Sequence, residues 1–152
     1  MRIMKDRWGA NQDKLRIALA EQIDRHDCDY ETFVKLTFET IYNSSESCDC
    51  EKLDLDHITV IDNGDYQGTI LFMIPYDTYQ PSEYEYIMTY IGYGSCCGCD
   101  ALQAALGWDY DEKLSDEQVV RFMAICKDLV CNTIKPYNNG WRSKDEWEPC
   151  AE

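Results

Sequence analysis

The chain has 152 residues, 45% of them hydrophobic, which is enough for a single-domain core without a metal or a disulfide. Its 29 acidic and 14 basic residues give a formal net charge of −15, and no Lys or Arg lies between Leu53 and Glu112. Direct binding of nucleic acid or of an anionic membrane surface is therefore disfavoured, because both need a basic surface. The apolar run Ile70–Ile74 is too short to span a membrane, and the N-terminus lacks the apolar stretch of a secretory signal, so we expect a cytoplasmic protein.

Two helices are predicted in the first part of the chain. The first covers residues 12–26, and the second runs from Asp27 or Asp29, either of which can cap it, to Tyr42. Their apolar stripes have helical spacing and are formed by Leu15, Leu19 and Ile23, and by Phe33, Thr37 and Ile41. The polar residues 43–56 are expected to form a loop.

Three strands follow, over residues 57–61, 66–74 and 83–94. The dipeptide Asn63-Gly64 predicts a tight hairpin between the first two, because both residues of such a turn need positive φ. Strands that follow one another through short turns pair antiparallel.

Two more helices are predicted after the strands. The first covers residues 99–106 and ends at Gly107, and the second begins with a capping box over residues 115–118 and ends at Pro136. The buried stripe of the last helix is predicted to be Val119, Phe122, Cys126 and Leu129, broadened by Met123 and Val130.

The element order ααβββαα predicts an α+β fold, a three-stranded antiparallel sheet with flanking helices. We expect one domain over residues 1–136. Residues 137–152 are expected to form a loosely ordered tail, in which Trp141 and Trp147 can contact the body of the domain.

The cysteines cluster at the predicted junction of the third strand and the next helix, in the sequence Ser95-Cys96-Cys97-Gly98-Cys99-Asp100. An odd total of nine cysteines, with no secretory signal, argues against a disulfide framework. Cys96 and Cys99 have the spacing of a dithiol redox pair and of half a zinc site, and the start of a helix lowers the pKa of a thiol.

Three interpretations of this cluster stay open. Zinc, the one cofactor that the sequence suggests, would be held by the thiolates of Cys48, Cys50, Cys96 and Cys99, with His57 and Cys97 as substitute ligands. A dithiol at Cys96 and Cys99 resembles the pair in thioredoxin-like proteins, although the preceding βαβ unit and the usual Trp and Pro are missing. Alternatively, Cys96 and Cys97 pack as small residues, and Cys99 or Asp100 caps the helix.

Tyrosines are concentrated in the same part of the chain, with seven of eleven between Tyr66 and Tyr93. Alternation along the third strand places Tyr84, Tyr86, Met88 and Tyr90 on one face and Ile87, Thr89, Ile91 and Tyr93 on the other. One face is expected to meet the helices. The other is either covered as well or forms a partner-binding surface, whose predicted residues are Asp77, Glu83, Tyr84, Glu85, Tyr86 and Tyr90.

The motif Tyr93-Gly94-Ser95-Cys96-Cys97-Gly98-Cys99-Asp100, followed by Leu102-Gln103, is part of a segment from about Tyr66 to Leu106. This segment resembles a group of small uncharacterised proteins of tailed bacteriophages, in which the position of Cys97 is more often a serine. The resemblance implies an origin in a phage or prophage and action inside a host cell.

Two functions are therefore expected from the sequence. In the first, an acidic, tyrosine-bearing surface binds a basic host protein, as an inhibitor or as a mimic of nucleic acid. The alternative is a cysteine-centred site at Cys96 and Cys99, holding structural zinc or acting as a reactive dithiol. A third interpretation, an acidic surface that only keeps the protein soluble, also remains open. No catalytic residue is predicted.

Overall fold

Helices form the first part of the chain in the computed structural model, which describes residues 2–44, 52–96, 98–107 and 113–136. Helix α1 covers Arg2–Gln22, and a short 3-10 turn, Arg25–Asp27, leads to helix α2, Tyr30–Phe38. Helix α2 continues as a π-helical turn over Glu39–Asn43, so the predicted end of the second helix at Tyr42 is confirmed. Asp29 is its cap, since the Asp29 carboxylate accepts from the Thr32 N–H at 2.8 Å.

The first helix begins ten residues before its predicted start, so the predicted bounds of 12–26 are wrong. The early turns bury Met4 together with the polar side chains of Arg7 and Asn11, and a search for apolar residues cannot detect such a stripe. Arg7 is stabilised there because its guanidinium lies 3.9 Å from the centroid of the Tyr42 ring.

Three strands form one antiparallel sheet in the order β1-β2-β3, as predicted. They are β1, Thr59–Asp62; β2, Gly68–Pro75; and β3, Tyr86–Tyr93. The helices and this sheet together make a single α+β domain with the predicted order of elements.

The hairpin between β1 and β2 differs from the predicted two-residue turn. Its loop spans residues 63–67, and the Asn63 side chain accepts from the Thr69 N–H at 2.9 Å. Among the described glycines, only Gly107 has a positive φ. Gly64 is needed for a different reason: a Cβ at this position would lie 2.2 Å from the Gln67 carbonyl oxygen.

Two helices follow the sheet, α3 over Ala101–Leu106 and α4 over Asp116–Cys131. The predicted capping box of α4 is confirmed, with Ser115 and Gln118 bonded to each other's backbone N–H groups. Helix α4 ends five residues before Pro136, because Ile134 leaves the helix and pairs with Met88 of β3 through two backbone hydrogen bonds of 2.7 Å.

The core lies between the helices and one face of the sheet. The inner face is formed by Phe72, Ile74, Ile87, Thr89 and Ile91, all buried. Helix α4 packs on β3, where the Thr89 hydroxyl donates to the Leu129 carbonyl at 2.6 Å, and both α1 and α2 pack on α4. The Phe33 ring of α2 stacks on the Phe122 ring of α4 with centroids 4.7 Å apart.

The predicted tail, residues 137–152 with Trp141 and Trp147, lies outside the described residues. Within the described ranges, no helix is both long and apolar enough to cross a membrane.

The Phe33–Phe122 stack gives a first prediction. Phe122→Ala should lower the free energy of unfolding by about 3–5 kcal/mol, because it opens a cavity where the side chain is fully buried. The control is Val120→Ala on the same helix, where the side chain is 57% exposed and the loss should stay near 0.5 kcal/mol. Urea unfolding of both variants measures the difference, and equal losses would contradict this packing.

Candidate functional site

The outer face of the sheet contains part of the first of the two candidate sites that the sequence suggested. Strand pairing places Ile61, Leu71 and Tyr90 in one row across the sheet, and Met73 beside Met88 in the next. We call this surface the open sheet face and define it as Ile61, Leu71, Met73, Tyr86, Met88 and Tyr90.

The open sheet face is apolar but not buried. Ile61 is 45% exposed and Tyr90 is 40% exposed, while the other four side chains are half-buried. Ile134, which pairs with Met88 at the edge of β3, is 48% exposed and extends the same apolar surface. Exposed tyrosine and methionine next to aliphatic side chains are typical of the centre of a protein-binding surface.

The predicted partner-binding residues divide into two groups. Tyr86 and Tyr90 lie on the open sheet face. The other four lie at one end of it, three in the turn before β3 and one in the loop after β2: Glu83, Tyr84, Glu85 and Asp77. The predicted third strand, 83–94, is therefore too long, because β3 begins at Tyr86.

Three of these four side chains have local partners. The Tyr84 hydroxyl is bonded to the neighbouring Glu83 carboxylate, and this hydrogen bond raises the pKa of Tyr84. The Ser82 N–H donates to the Glu85 carboxylate at 2.8 Å and lowers the pKa of Glu85. Glu85 thus shapes the turn, while Asp77 and Glu83 have exposed side chains.

Further acids lie at both ends of the sheet. Asp54 and Asp56 precede β1, and the Asp54 N–H donates to the Pro75 carbonyl at 2.9 Å. At the opposite end, the Tyr93 hydroxyl donates to the Asp62 carboxylate at 2.7 Å, which raises the pKa of Tyr93. The segment from Leu53 to Gly107 that forms the sheet therefore has acidic side chains but no Lys or Arg.

Two lysines outside this segment do approach it. The Lys135 ammonium lies 4.9 Å from the centroid of the Tyr76 ring, and the Tyr76 hydroxyl accepts from Tyr42 at 3.2 Å. Lys52 flanks the segment, and its carbonyl accepts from the Asp77 N–H at 2.8 Å.

The cysteine cluster forms a tight turn after β3. The N–H groups of Cys99 and Asp100 both donate to the Cys96 carbonyl at 2.9 Å, and Cys96 and Cys99 are exposed free thiols. The Cys99 sulfur accepts from the Cys96 N–H at 3.0 Å. The interpretation in which Cys96 packs as a small residue against the sheet is therefore wrong for Cys96, while Cys97 lies outside the described residues.

Asp100, not a cysteine, occupies the start of helix α3. Its buried carboxylate accepts from the N–H groups of Gln103 at 2.8 Å and Gly94 at 3.2 Å, and from the Tyr30 hydroxyl at 3.2 Å. The Tyr30 oxygen in turn accepts from the Leu102 N–H at 3.3 Å. These contacts join the end of β3, the start of α3 and helix α2 around one carboxylate.

The two exposed thiols differ in acidity. A hydrogen bond from Cys99 is the main cause that lowers the pKa of Cys96, and the Gly98 backbone adds to it. The same interaction with Cys96 raises the pKa of Cys99. The predicted effect of the helix start is thus not the main cause, because the Asp100 carboxylate holds that position.

Zinc binding stays a prediction. Two of its four predicted ligands, Cys48 and Cys50, lie outside the described residues, and the described part of the chain contains no group of three or more His, Cys, Asp or Glu side chains that could hold a metal. The substitute ligand His57 is exposed, and its Nδ1 lies 2.7 Å from the Asp54 carboxylate.

No match was found when the chain was compared with models of known protein families, with curated proteins and with solved structures. The resemblance to phage proteins therefore stays a prediction.

The contacts of Tyr30 give a second prediction. Tyr30→Phe should lower the free energy of unfolding by about 1–3 kcal/mol, because the Leu102 N–H and the Asp100 carboxylate both lose a partner. Urea unfolding measures this loss. Tyr79→Phe, at a side chain that is 97% exposed, is the control and should have no effect.

The buried Tyr30 hydroxyl also predicts a pH dependence of the free energy of unfolding. Burial is the main cause that raises the pKa of Tyr30 from 10.0 to about 12. When folding raises the pKa of a group, the stability that depends on its protonated form is fully present below the unfolded-state pKa. This stability is lost as the pH rises through the folded-state pKa. The difference between wild type and Tyr30→Phe should therefore shrink as the pH rises from 10.0 towards about 12. A constant difference would contradict the burial of this hydroxyl.

Proposed function

We propose that this protein binds a basic segment of another protein through the open sheet face. The observation that carries the proposal is an apolar, partly exposed sheet face whose own chain segment, Leu53 to Gly107, has acids but no Lys or Arg. The occupant is expected to bring apolar side chains to the centre of the face and Lys or Arg to its ends.

The apolar rows would supply most of the affinity. Tyr90 and Ile61 offer large side chains that are already held by strand pairing, so little conformational entropy is lost when a partner buries them. Met73 of β2 and Met88 of β3 are cross-strand neighbours, and flexible methionine side chains adapt to the shape of a bound partner.

The acids would select the partner. Exposed carboxylates at the rim of an interface contribute mainly to the rate of association and to specificity, because salt screens them. Asp77 and Glu83, which are exposed near the end of the sheet where β3 begins, would have this role. Mimicry of a phosphate backbone is a narrower form of the same proposal. That the partner is a host protein in the cytoplasm rests on the phage resemblance.

Charge reversal at that end gives a fourth prediction. The binding partner would first be captured from a host lysate and purified. Its affinity for the variant that combines Asp77→Lys with Glu83→Lys should be about tenfold weaker at low salt than its affinity for wild type. The matched control is Asp13→Lys combined with Glu21→Lys, two exposed acids of α1, and should have a much smaller effect. The difference between the two double variants should largely disappear between about 0.05 M and about 0.5 M salt.

A shortened side chain on the open sheet face distinguishes this proposal from nonspecific electrostatic attraction between the acidic protein and a basic partner. Tyr90→Ala should also weaken binding about tenfold, and with little dependence on salt, whereas Val120→Ala on α4 should not. If neither Tyr90→Ala nor the acidic pair affects the titrated affinity, the open sheet face is not the binding surface. Competition by duplex DNA for the same partner site would support the mimic, and its absence would rule out that narrower form.

A further inference from the structure

The turn that holds Cys96 and Cys99 brings two exposed thiols together in a geometry that a disulfide can span. The Cys99 N–H donates to the Cys96 carbonyl at 2.9 Å. A four-residue turn of this kind brings its end Cα atoms within about 7 Å, and disulfides join Cα atoms at roughly 4.4–6.8 Å. The Cys99 sulfur already lies 3.0 Å from the Cys96 backbone nitrogen.

Residues on both sides of the turn hold the cysteine pair in place. A Cβ at Gly94 would lie 2.6 Å from the Cys99 sulfur and 2.6 Å from the Cys99 carbonyl oxygen, so only glycine leaves room for Cys99 there. The next anchor is the buried Asp100 carboxylate, which is bonded to both Gly94 and Gln103. The turn is therefore fixed on both sides of the cysteine pair before any bond forms.

From this arrangement we infer that Cys96 and Cys99 are a redox-active dithiol, which exchanges with the disulfides of low-molecular-weight thiols and closes into an intramolecular disulfide. Cys96 is the attacking thiol and Cys99 the resolving thiol. The order follows from the position of the Cys99 sulfur, which lies against Gly94 and accepts from the Cys96 N–H at 3.0 Å, so Cys96 attacks the small disulfide first. The lowered pKa of Cys96 and the raised pKa of Cys99 agree with this order. This site is separate from the open sheet face and does not depend on the proposed binding function.

The exchange balances in two steps. The Cys96 thiolate, having released its proton to solvent, attacks one sulfur of the small disulfide, and the other sulfur leaves as a thiolate. Cys99 then gives up its proton, and its sulfur attacks the Cys96 sulfur, which releases the second small thiolate. The protein loses two electrons and two protons, and the small disulfide is reduced to two thiols once both thiolates are protonated.

Oxidised glutathione is the probe that tests the assignment on the full-length protein. Wild type should lose two hydrogens at the peptide that contains Cys96 and Cys99, and dithiothreitol should restore them. Cys99→Ser should instead accumulate a mixed disulfide with glutathione at Cys96, because no resolving thiol remains. Cys96→Ser should slow the first attack about tenfold or more.

One further variant and one internal control test whether other thiols take part. Cys97→Ser should leave the Cys96–Cys99 disulfide in place, and its loss in that variant would overturn the pairing. Cys126 is an internal control in every sample, because burial raises its pKa to about 12 and removes it from solvent. It should stay unmodified until the protein is unfolded.

Substitutions at two glycines test whether the packing around the turn controls the rate of disulfide closure. Gly94→Ala should displace Cys99 and slow ring closure about tenfold, so that the glutathione adduct of Cys96 persists. Gly98→Ala is the matched control, since the nearest atom to its added Cβ is the Cys96 sulfur at 4.0 Å. Equal closure rates in the two variants, or a mixed disulfide in wild type that never resolves, would overturn the proposal.

Discussion

The packing of helix α4 on one face of a three-stranded sheet is the constraint on which the rest of the structure depends. Thr89 of β3 bonds to the backbone of α4, and the Phe33–Phe122 stack attaches α2 to the same helix. The sheet is apolar on both faces, but the described helices bury only the inner one. The outer side chains of Leu71, Met88 and Tyr90 therefore stay partly exposed in the described part of the chain, and the proposed function follows from that asymmetry.

Most of the fold could be predicted from periodicity. The stripes of α2 and α4 and the capping box at Ser115 are strong local signals, and the structure confirms them. The errors have tertiary causes. Helix α1 buries Arg7 against Tyr42, so its first turns show no apolar stripe. The end of α4 depends on a pairing between Ile134 and Met88, forty-six positions apart in the chain, which no local pattern reports.

The candidate sites could be predicted only in part. Alternation along β3 identified Tyr86 and Tyr90, but Ile61, Leu71 and Met73 join them only through strand register. The signal for Leu71 and Met73 in the sequence was that Ile70–Ile74 is apolar at every position. At the cysteine turn, spacing identified Cys96 and Cys99. The close approach of Gly94 to Cys99 and the contact of Asp100 with Tyr30 depend on the folded structure, so the sequence could not show what anchors the turn.

Site-specific photo-crosslinking can show whether a partner binds on the open sheet face. A photoreactive phenylalanine analogue would replace Tyr90 on β3 in one protein and Val120 on α4 in another, two positions that are 40% and 57% exposed. The structure predicts that the captured basic protein crosslinks efficiently from position 90 and hardly at all from position 120. Crosslinking that is equal at both positions, or that occurs only from position 120, would contradict the account.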